Sequence, residues 1–290
     1  TRVRSSAASD VYKRQHPYWP EAWGWGQYRP LAIASFAIQW WVGGGSPWSF
    51  HLVNIALHAT VCVLLWRTLS IWLRPVGAAF GALWFAVQPV HVEAVASAVG
   101  QTELMAAAFV LAACLAHREG NRVAPLWFAL ALLSKEGGIV FLGLALLIPT
   151  PRRALFARYA VVAGLYAACL GLLFTNQSIR NVAPTWTGAS VGARWLTMLG
   201  IFPDYLRLLV APLLLRTDYG PQVTQLATGV TPTIVLGALL LVLAIAVGAA
   251  AREKAPAVTL GLAWFAIAIA PVANVFFASG VVLAERTLYV

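Results

Sequence analysis

Long uncharged apolar runs alternate with short polar breaks along the chain. The runs fall at about 50–66, 75–90, 103–117, 123–134, 137–149, 155–175, 230–251 and 256–273. Such runs predict membrane helices, because a full crossing needs about 20 apolar residues. The fourth and fifth runs are short and flank Ser134-Lys135-Glu136-Gly137-Gly138. They predict a helical pair that meets inside the protein or at one face. Segment 194–215 is apolar but interrupted by Pro203, Asp204, Arg207 and Pro212, which predicts an interfacial, re-entrant or kinked helix. Residues 28–45 carry Trp40 and Trp41 and end in Gly43-Gly44-Gly45. They predict an amphipathic helix on the outer surface, with Trp at headgroup level. The expected fold class is all-α: a polytopic transmembrane helical bundle of about eight spans, plus interfacial or re-entrant helices.

Composition agrees with the pattern. Of 290 residues, 60% are hydrophobic and 10% are charged. Soluble domains carry about 45–50% apolar and about 25% charged residues. Disorder, a nucleic-acid-binding module and an ordinary soluble enzyme are excluded. The net charge of +10 has a location. Alternate loops hold Arg67 and Arg74; Arg118 and Arg122; Arg152, Arg153 and Arg158; Arg252 and Lys254. Only Glu119 and Glu253 oppose them there, so these loops are expected to be cytoplasmic. The other face then carries Glu21, Glu93, Glu103, Glu136, Asp204, Asp218 and Glu285. The alternation requires 194–215 to enter and leave on that same side. Residues 1–15 are polar and aperiodic and resemble a non-native junction sequence, which leaves 16–290 as the membrane domain. Cys62, Cys114 and Cys169 each lie in an apolar run, as expected of buried thiols rather than disulfides or a metal cluster. There is no GxxxxGK[ST], HExxH or GxSxG pattern, so ATP-driven transport and soluble-type hydrolysis lose support.

Ionisable groups at membrane depth are costly, and each is a candidate site residue. Gln88-Pro89-Val90-His91-Val92-Glu93 and Gly100-Gln101-Thr102-Glu103 form a polar rim after the second run. His91, Glu93, Gln101 and Glu103 are expected to bind a sugar or orient a base there; the alternative for Gln101 to Glu103 is a helix start, where acids suit the dipole. His91 with Glu93 supplies two ligands, too few for a metal site. Lys135 suits a phosphate as a point charge, or else pairs with Glu136 to fix the helical hairpin. Arg286 suits bidentate phosphate recognition, or else a salt bridge beside Glu285 at the membrane edge. Arg29 is a similar case. Asn54 and His58 share one helix face and are expected to make interhelical hydrogen bonds.

Several stretches occur in the order of a known family. They are Tyr28-Arg29-Pro30-Leu31, His51-Leu52-Val53-Asn54 with Leu57-His58, the Gln88 to Val95 stretch, and Gly100 to Leu104. Ser134-Lys135-Glu136-Gly137, Tyr205 to Leu209 and Ala284-Glu285-Arg286-Thr287-Leu288-Tyr289 follow. In these the chain resembles the membrane domain of the TMTC-type protein O-mannosyltransferases and their bacterial tetratricopeptide-repeat relatives, within the GT-C superfamily. The resemblance implies a GT-C-like bundle and a hexosyltransferase reaction. A sugar, typically mannose, moves from a polyprenyl-phosphate carrier to a protein Ser/Thr hydroxyl, with inversion, on the extracytoplasmic face. It implies a bacterial inner membrane with the site facing the periplasm. The implied partners are the bilayer, the lipid-linked sugar and the acceptor protein, with no nucleic acid and no cofactor besides the donor. Lys135 and Arg286 are then expected at the donor phosphate, and Glu93 or Glu103 beside the acceptor or the base. Arg29, Glu136 and Glu285 join the substrate-binding set.

The chain also departs from the family. The family's base is an acid in the first outer loop, after a first span that ends in an acidic pair. Between 16 and Tyr28 the chain has only Glu21, which is not given that role. The resemblance therefore implies a partial domain, without the first span and the repeats, and inactive by itself. Two alternatives stay open: a GT-C enzyme that glycosylates a lipid or glycan, and a non-catalytic carrier of lipid-linked sugar.

Overall fold

The computed structural model describes residues 27–173, 184–212, 215–216, 219 and 224–289. Among them are eleven α-helices and no strand. They are α1 (Pro30–Gly43), α2 (Pro47–Leu69), α3 (Pro75–Ala86), α4 (Val92–Ala96), α5 (Gln101–Arg118) and α6 (Ala124–Ser134). The rest are α7 (Phe141–Leu147), α8 (Leu155–Leu173), α9 (Val191–Val210), α10 (Pro232–Lys254) and α11 (Pro256–Ile269).

The chain marks its own helix starts. α1, α2, α3, α10 and α11 each begin with a proline. At a first helical position its missing N–H is no loss and its φ is already helical. Ser190 and Thr231 cap α9 and α10 by accepting from the Ala193 and Ile234 amides. α1 stops at Gly44, whose φ of 58° is left-handed and whose N–H returns to the Trp40 carbonyl.

Every expected run becomes helix, but the span count differs from eight. Among the described residues four helices are long and apolar enough to cross a membrane, and five if a bent pair counts as one span. That pair is Pro75–Ala86 with Pro89–Ala96, bent by 52°. Pro89 explains the break: it supplies no N–H and it opens a short 3-10 turn over Pro89–His91. α6, the Glu136–Leu147 pair and α11 are apolar but shorter than a full crossing. α5 is the axis of the bundle, with 72% of its apolar window buried. Around its arginine end lies a core of Cys114, Phe128, Phe141 and Tyr159. α8 and α10, 11% buried over the same kind of window, present Leu and Val outward, as lipid-facing helices do. Cys114 is buried and Cys62 and Cys169 are half-buried; all three are free thiols.

α1 is not amphipathic in the expected sense. Its polar residues turn inward: Gln39 donates to the Ser35 hydroxyl at 2.8 Å, and Ser35 accepts from Gln101 at 2.6 Å. Ile38, Trp40, Trp41 and Val42 face outward. In a bilayer this reversal is the favourable choice, because polar groups find partners only within the protein.

α9 contains Pro203, Asp204 and Arg207 and lies across other elements at the acidic end of the bundle. Gln88 donates to the Leu209 carbonyl, Trp195 donates to the Val275 carbonyl, and the Ala227 amide donates to Thr197. Its crossing with α10 is tight: a Cβ at Gly237 would lie 1.8 Å from the Leu199 carbonyl oxygen. The obstacle is backbone and cannot rotate away. Gly237→Ala is expected to cost about 1–3 kcal/mol through overpacking, read as a lower thermal unfolding midpoint in detergent. An unchanged midpoint would show that the two helices do not approach this closely.

Candidate functional site

The acids Glu93, Glu103, Glu136 and Glu285 gather at one end of the bundle, opposite the loops that carry Arg67, Arg118 and Arg152. Two polar clusters form there.

The first joins α1, α5 and α6. Lys135, at the end of α6, forms a buried ion pair with Glu103 in the first turn of α5. Glu136 accepts from Arg29 Nε at 3.0 Å and from Arg29 Nη2 at 2.6 Å. Arg29 also reaches Thr102 at 3.5 Å. Lys135 and Glu136 therefore do not pair with each other. Lys135 is extended, with φ −161° and ψ 142°, and successive side chains of an extended backbone point to opposite sides. Gly138 makes the turn possible, since a Cβ there would meet the Ala131 carbonyl carbon at 2.7 Å. Desolvation works against the Glu136 charge only in part, since the side chain is 48% exposed, and the Arg29 guanidinium, with Lys135, holds the carboxyl down at about 2. The Arg29–Glu136 pair is thus expected to survive mild acid.

The second cluster surrounds the break between α3 and α5. Glu93 pairs with the Arg286 guanidinium and also accepts from the Arg286 amide at 2.9 Å. Glu285 does not pair with Arg286. It accepts from the Arg216 amide at 2.6 Å and from the Tyr219 hydroxyl at 2.8 Å. Burial, then the neighbouring Glu285 carboxylate, pushes the Tyr219 phenol up to about 12. The turn that delivers Glu285 to Tyr289 is built on Asn274, whose φ is 53°. Asn274 donates to the carbonyls of Val272 and Val281 and accepts from the Ser279 amide. His91 and Glu93 diverge: His91 packs on Phe85 and Tyr289, with ring centroids 4.2 and 4.8 Å away. Among the described residues no group of three or more His, Cys, Asp or Glu is arranged to hold a metal.

Asn54 and His58 make the expected interhelical bonds. Asn54 donates to the carbonyls of Val95 and Ser97 at 3.0 and 2.9 Å. His58 lies 3.2 Å from the Ala86 carbonyl oxygen and 2.6 Å from the Tyr289 hydroxyl. Both residues tie α2 to carbonyls of the bent segment, that of Ser97 also accepting from the Gly100 amide. Tyr289 was not singled out from the sequence as a partner of His58, since 231 residues separate them. Glu21 and Asp218 lie outside the described residues.

Below the second cluster is a cavity of about 640 Å³ between α2, α3, α5 and α11. It follows α2 from Val61 to Leu69, a rise of about 12 Å. Its walls are apolar, and its polar lining is confined to Gln88, His91, Thr287 and Tyr289. Its volume lies within the range of about 300–1,000 Å³ common for ligand sites.

No family model and no solved structure matches the chain. Curated relatives do. Human "Protein O-mannosyl-transferase TMTC3" is 27% identical over 91% of this chain and 34% of its own length. "Protein O-mannosyl-transferase F38B6.6" of Caenorhabditis elegans is 30% identical over 90% of this chain and 40% of its own length. Human "Protein O-mannosyl-transferase TMTC4" is 37% identical over 40% of this chain and 20% of its own length. The chain thus spans well under half the length of these relatives. Over 90% of its own length, it is homologous to the TMTC-type protein O-mannosyltransferases.

Proposed function

We propose that the chain is the membrane part of a glycosyltransferase. It moves a mannosyl group from a polyprenyl-phosphate carrier to a protein Ser/Thr hydroxyl on the extracytoplasmic face. In a bacterium that membrane is the inner one and that face is the periplasm. The observation that carries the reading is the apolar cavity whose polar lining is Gln88, His91, Tyr289 and Thr287, the last one residue along the chain from Arg286, which pairs with Glu93. The printed names of the relatives supply the reaction class.

The chemistry assigns simple tasks. The acceptor oxygen attacks the anomeric carbon, and the bond to the phosphate oxygen breaks on the opposite face. The bonding pair leaves with the phosphate, so cationic groups beside it lower the barrier. Arg286, whose side chain is 37% exposed, fits that task. Lys135 fits it less well, because Glu103 already neutralises it. Glu93 and Glu103 are each already engaged by a cation. They hold Arg286 and Lys135 in position, and the proton goes to another carboxylate.

The test uses the protein at its full encoded length in nanodiscs, with polyprenyl-phosphate mannose and a Ser/Thr-rich peptide. Mass spectrometry is expected to find the peptide heavier by one hexose. Sugar found only on lipid or glycan would move the reading to another acceptor. Translocated donor with no covalent product would make the protein a carrier.

A further inference from the structure

The helices that meet the arginine-bearing loops come in two lengths. α2 and α10, which reach those loops at Arg67 and Lys254, have 23 residues each, a rise of about 34 Å. α3, α6 and α11, which start from those loops, have 12, 11 and 14 residues and stop after about 16–21 Å. A hydrocarbon core is about 30 Å thick, so the short helices end within the far leaflet. Both polar clusters lie at that level. Lys135 and Glu136 directly follow α6. Asn54, which holds the Val95 and Ser97 carbonyls just after Glu93, lies about 10 Å along α2 from its start at Pro47. α1 forms a wall above them. It starts next to Arg29, on Glu136, and ends beside the first turn of α2, where Ser49 donates to the Gln39 carbonyl. Trp40, Trp41 and Trp48 are exposed at the top of this wall, at the headgroup level that Trp favours.

The floor beneath this wall is open. The side chains of Glu136 and Arg286 are both well exposed. Ile139, also exposed, follows Glu136 by three residues in a 3-10 turn and so shares its side. A carboxylate and a guanidinium at that depth face water or protein, because hydrocarbon solvates neither. We propose that the two polar clusters form the floor of a water-filled recess about 10 Å below the outer surface, and that the acceptor is therefore an extended protein segment rather than the surface of a folded domain. This rests on reading the acidic end as the place of transfer to a protein hydroxyl. A Ser or Thr hydroxyl stands only two bonds from its Cα, so the acceptor backbone itself has to enter. An extended chain covers about 3.3 Å per residue, so about three residues on each side of the acceptor must leave the folded body.

The experiment offers one Ser/Thr-containing stretch to the full-length protein in nanodiscs with polyprenyl-phosphate mannose. The stretch comes in three forms: a free peptide, a strand on the surface of a folded domain, and a loop in that domain with flexible linkers of about six residues on each side. The peptide and the linked loop are expected to accept mannose. The strand is expected to show a kcat/KM about a hundredfold lower, because it must first open locally. Equal rates for strand and peptide would overturn the acceptor inference. Cysteine labelling tests the depth separately, read against the wild type with its three free thiols. Ile139→Cys and Trp48→Cys are both expected to react with a small membrane-impermeant thiol reagent. Only Trp48→Cys is expected to react when the reagent is fixed to a folded carrier protein. If Ile139→Cys reacts with the carrier-bound reagent, or with neither reagent, there is no recess. If the labelling is as expected but no form of the stretch is mannosylated, the transfer reading fails and takes the acceptor with it, while the recess stands.

Discussion

Glu103→Ala is expected to destabilise the protein by about 3–5 kcal/mol, because it leaves the Lys135 ammonium buried without its carboxylate. The Glu103 side chain is 4% exposed and that of Lys135 is 11% exposed. Water cannot take the lost partner's place at that depth, so the unpaired charge carries most of its desolvation penalty. Lys135→Ala is expected to fall in the same range for the mirrored reason. The pair links the start of α5 to the end of α6, the most buried helix and one of its neighbours, so its loss is expected to loosen the acidic end. Glu103→Leu with Lys135→Met removes both charges and keeps the volume. That double variant is expected to recover most of the single-variant loss. Denaturant unfolding in detergent micelles measures all four proteins. If each single variant unfolds at the wild-type midpoint, the pair carries no structural load. Lys135 would then be available to a ligand after all.

That outcome bears on how much of the site was legible in the sequence. The long helices were legible because they lie in runs too apolar for water, and α1, α2, α3, α10 and α11 are also marked by Pro at their start. The shortness of α6 and α7 was legible too, but the number of full spans was not, because hydropathy does not register a 52° bend at Pro89. The set of acids at one end followed from loop charges alone. Their partners did not. Lys135 and Glu136 are adjacent in sequence, yet an extended backbone at Lys135 sends them to Glu103 and Arg29. Glu285 and Arg286 separate in the same way, toward Tyr219 and Glu93. Adjacent opposite charges suggested pairs within the sequence. Side-chain alternation and burial made them pairs across it. The role of Asn274 had a visible sign, a lone Asn within an uncharged apolar stretch. Its left-handed backbone, which only the folded turn reveals, makes it the organiser of the segment that carries Arg286.

Arg286→Ala is expected to lower kcat for mannosyl transfer about a hundredfold, the usual cost of removing one preorganised group that stabilises transition-state charge. The guanidinium has five N–H donors, and Glu93 does not use them all. The remaining ones are available to a leaving phosphate. Arg286→Lys keeps the charge but loses the planar fork, so about a tenfold loss is expected. The competing view is that Arg286 matters only as the partner of Glu93, tying the Glu285–Leu288 turn to α4. Glu93→Gln separates the two views. It breaks the ion pair while leaving the guanidinium in place. If Arg286 acts on phosphate, Glu93→Gln retains far more of kcat than Arg286→Ala. Adding Glu93→Gln to Arg286→Ala then changes kcat little further. If the ion pair alone matters, both single variants lose activity equally, with equal falls in unfolding midpoint, and Arg286 is removed from the reaction.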